Sequence, residues 1–136
     1  MKNVILFVVL LLNISCSKIG YDKIDNIQSI SINCPTMSDN EYVINSESEY
    51  HSILDTNNCQ PTYIDFYQYT LIGKYANGGG CSVKFKRNFY VNQEDNTYLY
   101  EIKVKEKGWC KKFGESMNWI IVPKIQSGYT VIFNIK

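Results

Sequence analysis

Side chains able to do covalent chemistry are few in this sequence: one histidine, His51, and five cysteines, Cys16, Cys34, Cys59, Cys81 and Cys110. A Cys–His nucleophile would have to bring His51 to Cys59 and find a third group to orient the imidazole. Asp65 begins a strand and Glu101 and Glu106 lie on another, an arrangement open to two-carboxylate hydrolysis; they read equally as ordinary polar positions. Asn77-Gly-Gly-Gly80 lacks the Lys-Ser/Thr and the helix that a phosphate-binding loop needs, and reads as a flexible hairpin turn. No Cys-x-x-Cys pair exists, so a zinc site would draw four thiolates from distant points. The expectation is a protein that is not an enzyme, with no metal and no cofactor; a small hydrolase built around His51 is the third choice.

The start of the chain bears on what those cysteines do. Lys2 is followed by an unbroken apolar run from Val4 to Leu12, then Asn13-Ile-Ser15 and Cys16. A cationic start, a short apolar run and a small residue before the cysteine read as a secretory signal over residues 1–15. Nine apolar residues make a helix of roughly 14 Å at about 1.5 Å per residue, too short for a hydrocarbon core of about 30 Å. The end of the segment resembles the lipobox of Bacteroidetes-like lipoproteins, with Asn13 where Leu is usual. The resemblance implies that Cys16 is acylated and becomes the mature N-terminus, each buried methylene adding about 0.8 kcal/mol of anchoring. Ser17 gives no acidic retention signal, so the cell envelope, and the outer membrane rather than the inner, is the expected location.

Four cysteines then remain in an exported chain of about 120 residues, which reads as two disulfides in one domain. The charge is polarised: residues 17–73 carry two lysines against eight acids, residues 74–136 eleven basic residues against five acids. Near-neutral overall charge, export and the lack of an interleaved aromatic motif exclude nucleic-acid binding.

Residues 16–40 are polar and read mainly as a tether, with Ile27–Ile32 alternating enough for a short strand; residues 41–136 form the single domain. Tyr42-Val-Ile44 is a brief strand candidate. Ser46-Glu-Ser-Glu49 fits a capping box, with Tyr50, Ile53 and Leu54 on one helical face. Strands are expected near 65–75, 81–92, 98–109, 118–123 and 129–135. The fold class is α+β: a curved antiparallel sheet or partial barrel of five to six strands, paired as a meander, with one short helix.

A hairpin turn centred on Asp95-Asn96 opposes residues whose numbers sum to 191. This puts Cys81 across from Cys110 and gathers Val83, Phe85, Phe89 and Val91 with Tyr100, Ile102 and Val104 on one face, Arg87 and Glu106 being exceptions. Opposed antiparallel residues are within disulfide reach, so Cys81–Cys110 is the first pairing and Cys34–Cys59 follows by elimination; free thiols or another pairing are the alternative. The other face carries Lys84 opposite Lys107 and Lys86 opposite Lys105, with Lys103 and Trp109. It suits an acidic protein surface, a phosphate-bearing head group or an acidic glycan, or else is a solvated face whose lysines prevent edge pairing. Tyr63-Ile-Asp-Phe-Tyr-Gln-Tyr69 reads either as a platform for stacking sugars or as half-buried sheet.

The order of strand, Ser46-Glu-Ser-Glu-Tyr helix, Ile64-Asp-Phe66, Gly-rich turn, long hairpin, Trp119-Ile-Ile-Val-Pro-Lys124 and Val131-Ile-Phe133 resembles the small lipoprotein domain of the PrcB family, over roughly residues 42–135. The resemblance implies a non-catalytic envelope lipoprotein that associates with and stabilises a surface protease. Cys81 and Cys110 depart from that pattern, and no catalytic residue carries over. The expected function is a lipid-anchored binding or accessory module with a protein partner in the envelope; a glycan-binding lipoprotein is the alternative.

Overall fold

The computed structural model describes residues 20–34 and 40–136. Cys16 and the expected signal segment lie outside the described residues.

The structure is mainly sheet with one short helix. Eight described strands run β1 (Asp22–Ile24), β2 (Gln28–Ile30), β3 (Glu41–Ile44), β4 (Tyr69–Gly79), β5 (Ser82–Asn92), β6 (Thr97–Lys107), β7 (Phe113–Pro123) and β8 (Thr130–Ile135), with α1 (Glu47–Asn57) between β3 and β4. They form two four-stranded sheets, β1-β5-β6-β8 and β2-β7-β4-β3. The expected partial barrel of five to six strands is therefore corrected to a sandwich with a helix outside it.

The physical reason lies in β4 and β7. Leu71 and Ile72 are neighbours on opposite faces of β4, as are Trp119 and Ile120 on β7, and all four are buried. A strand apolar on both faces needs cover on both sides. One face, with Ile72, Ala76, Ile120 and Val122, packs against Phe89, Tyr98, Tyr100 and Ile102 of the first sheet. The other face, with Leu71 and Trp119, packs under Tyr50 and Leu54 of α1 and Ile64.

The meander is also corrected. Among the described strands only β5–β6 is a hairpin; β4 pairs with β7 and β3, and β8 lies parallel to β6. Asn77–Gly79 are strand residues paired with β7 rather than a hairpin turn. Their small size is needed there: a Cβ on Gly78 would lie 2.7 Å from Val104 and one on Gly114 2.9 Å from Val83, so glycine lets the sheets close at this end. Gly80, at φ +123°, turns the chain from one sheet to the other.

Residues 22–30, read mainly as tether, supply a strand to each sheet, β1 on β5 and β2 on β7. Helix α1 starts as its sequence predicts: Ser46 Oγ accepts from Glu49 N at 3.2 Å, and Glu49 Oε2 accepts from Asn45 N at 2.8 Å. Asn58, left-handed at φ 50°, ends it.

Candidate functional site

The hairpin β5–β6 positions most of the residues singled out in the sequence. Its register opposes Ser82 to Lys107 and Asn92 to Thr97, so partner numbers sum to 189 rather than 191. The turn explains the slip. Asn92 Oδ1 accepts from Glu94 N at 3.0 Å and Asp95 N at 3.3 Å, its Nδ2 donates to Asp95 at 2.8 Å, and Asn96 takes a left-handed φ of 51°. A slip of two residues keeps every side chain on its expected face. Even the exceptions are accounted for: Arg87 Nε donates to Asn118 Oδ1 at 3.1 Å between the sheets, and Glu106 Oε1 accepts from Gly79 N at 2.7 Å.

Both expected disulfides form, Cys34–Cys59 and Cys81–Cys110. Cys81 does not sit directly across from Cys110, because the ladder ends at Ser82–Lys107. Gly108, at φ +80°, bends the chain so that Cys110 returns to Cys81, and any Cβ at Gly108 would strike the Cys81 sulfur.

On the outer face the like-charged pairs are Lys84–Lys105 and Lys86–Lys103, replacing the expected Lys84–Lys107 and Lys86–Lys105. Lys84, Lys86, Lys103, Lys105 and Lys107 are all exposed, as is Trp109 just beyond. β1 covers β5 only at Phe89–Val91, and β8 with Lys136 covers β6 from Thr97 to Val104. The lysine half of the hairpin is thus a two-stranded ribbon at the end of its sheet, backed on its inner face by β4 and β7 and reachable on its outer face.

Where the ribbon joins the sheet, Glu101 is 0% exposed although it faces outward, opposite Asn88 and beside Asn134. Lys136 Nζ lies 2.8 Å from its Oε2 and Lys103 Nζ 3.7 Å from its Oε1. This carboxylate raises the Lys136 pKa above the usual lysine value through their hydrogen bond and charge attraction. Lys136 was missed in the sequence because it reaches this face only through the parallel placement of β8.

The candidate catalytic residues are scattered. His51 is exposed on α1, 3.7 Å from Glu47 one turn earlier, and Cys59 is in a disulfide. Asp65 does not begin a strand; it closes a turn, accepting from Tyr67 N at 3.0 Å and Gln68 Nε2 at 2.8 Å, and β4 starts four residues later. Asp65-Phe66 and Val122-Pro-Lys124 nevertheless meet: Lys124 Nζ donates to Phe66 O at 2.7 Å and Asn45 O at 2.5 Å, pinning the Asp65 turn to the end of β7. Among the described residues no three His, Cys, Asp or Glu side chains gather as a metal site, and no helix is long and apolar enough to cross a membrane.

No protein-family model, curated protein or solved structure matches this chain.

Proposed function

We propose that this chain is a lipid-anchored, non-catalytic binding module of the cell envelope, held at the membrane through Cys16 and docking an acidic protein partner on the lysine ribbon of β5–β6. The accessory role implied by the PrcB resemblance, stabilising a surface protein complex, is of the same kind, and the outer membrane is the favoured location. The reading rests on one observation: two pairs of lysines stand directly opposed on the outer face of β5–β6, where like charges cost the isolated protein stability. An acidic surface seated on the ribbon reverses the sign of that term and speeds encounter.

The test is crosslinking in intact cells followed by recovery of the partner with the wild type, a K84E/K86E/K103E/K105E variant and the matching Arg variant. Recovery is expected with wild type and Arg, and loss with Glu; a K84E/K105E variant, which leaves the Lys103–Glu101 pair intact, should lose recovery at nearly unchanged melting temperature. Equal recovery by the Glu variant discards the ribbon as the contact surface. Intact mass of the processed protein, with and without reductant, checks acylation of Cys16 separately.

A further inference from the structure

On the opposite side of the sandwich from the lysine ribbon, the segment between α1 and β4 shows two tyrosines to solvent while everything around them is tied down. Its start is fixed by Cys34–Cys59 and by Gln60 N donating to Asn33 O at 3.0 Å. Its middle is held by Tyr50, whose hydroxyl donates to Thr62 O at 3.1 Å and accepts from Thr62 N at 3.0 Å. Its end is held by the Asp65 turn and the Lys124 bridge described above. Ile64 and Phe66 point inward to the cluster under α1. Tyr63 and Tyr67 are left 90% and 97% exposed. Aromatic rings displayed on a rigid segment lose little further freedom when something stacks on them.

Two open clefts flank this display, of about 470 Å³ and 620 Å³, both within the usual range for small-ligand sites. Tyr63 and Asp65 line both, so the clefts adjoin along one ridge; Tyr67 lines the first and Tyr69 the second. The first cleft adds the polar groups of Asn45, Ser46 and Glu47; the second is mainly apolar, with Asn26, Gln28 and Thr62 set among Ile27, Ile30 and Ile121.

We propose that the Tyr63–Tyr69 ridge and its two clefts bind a neutral carbohydrate chain. A sugar ring has an apolar C–H face that stacks on an exposed aromatic ring and a rim of hydroxyls that pair with amides and carboxylates, which is the combination built here. The walls select against an acidic sugar: Glu47 and Asp65 contribute negative charge, and the Lys124 ammonium is spent on two backbone carbonyls. The site is separate from the lysine ribbon and stands or falls independently of it.

The full-length protein, in a detergent without sugar headgroups, is titrated calorimetrically with linear gluco-, xylo-, manno- and galacto-oligosaccharides and with polygalacturonate. Saturable binding to at least one neutral chain is expected. It weakens about tenfold or more in Y63A and in Y67A, a loss of one ring-stacking contact, and is unchanged in K84E/K105E. Both tyrosines are exposed, so these variants keep the fold. The proposal is overturned by no saturable binding to any neutral chain, by binding that survives in Y63A/Y67A, or by binding to polygalacturonate alone.

Discussion

Trp119 lies across the backbone of Gly73, its register partner in β4–β7, so closely that any Cβ at Gly73 would fall inside the indole ring. The absent side chain is what lets the largest buried residue of the molecule fill the layer between the second sheet and α1. Gly73→Ala forces the indole or the strand aside, an overpacking that costs about 1–3 kcal/mol. Urea denaturation measures it; a variant as stable as wild type means that the indole does not rest on Gly73.

Stability is expected to fall on the alkaline side, where Tyr100, Tyr98, Lys136 and Lys23 all hold their protons more tightly in the folded chain. Burial between the sheets pushes the Tyr100 phenol well above its ordinary value of 10, with nearby Arg87 opposing in part. The unfolded chain releases that proton at about pH 10 while the folded chain holds it, so stability drops as pH rises past about 10. The raised Lys136 value acts in the same direction: its contribution is full below the ordinary 10.5 and is lost as pH climbs through the folded value. Y100F removes the hydrogen bond to Asn118 O, about 1 kcal/mol at neutral pH, and flattens the alkaline fall. Melting curves from pH 7 to about 11 compare the two proteins; parallel curves would remove Tyr100 from this account.

The disulfides should open in a fixed order. Cys81 and Cys110 are exposed beside the ribbon, whereas Cys34 and Cys59 pack partly buried against the cluster under α1. Limited reduction followed by differential alkylation and mass spectrometry should label Cys81 and Cys110 first. Loss of the Cys81–Cys110 bond costs less than the roughly 3–4 kcal/mol that loop closure of this length gives, because the hairpin already holds its ends together. Earlier labelling of Cys34 and Cys59 contradicts this.

Repulsion across the ribbon predicts a response to salt. In the free protein K84Q should raise stability by about 0.3 kcal/mol, relieving the Lys84–Lys105 pair. The gain shrinks in high salt, where screening already weakens the pair. Chemical denaturation with urea at low and high ionic strength reads both effects, and a loss of stability in K84Q at low salt contradicts the repulsion.

Local signals were legible in the sequence. The capping box at Ser46, the extents of β5 and β6 and the inward face of their hairpin depend on neighbours a few residues away or on the two-residue period of a strand, which survives even a register slip of two. The disulfide pairing was legible for a related reason: Cys81 and Cys110 flank a hairpin, and its ends are near one another whatever the detail of the turn. Sheet membership was not legible. Asn77–Gly80 carries the composition of a turn, and only the approach of Val83 and Val104 from the other sheet shows that most of it is strand.

By itself, then, the sequence determined the extents of β5 and β6, where the chain coils into its one short helix, which hairpin residues alternate inward and which cysteines pair, because those properties are set by short-range geometry. The tertiary structure decided that there are two sheets, that β8 runs parallel to β6, that Glu101 is buried beneath Lys103 and Lys136, and that Tyr63 and Tyr67 stand in solvent. Each of these depends on which distant segment covers a given face, and covering both faces of β4 and β7 is a condition on the whole chain that no local pattern encodes.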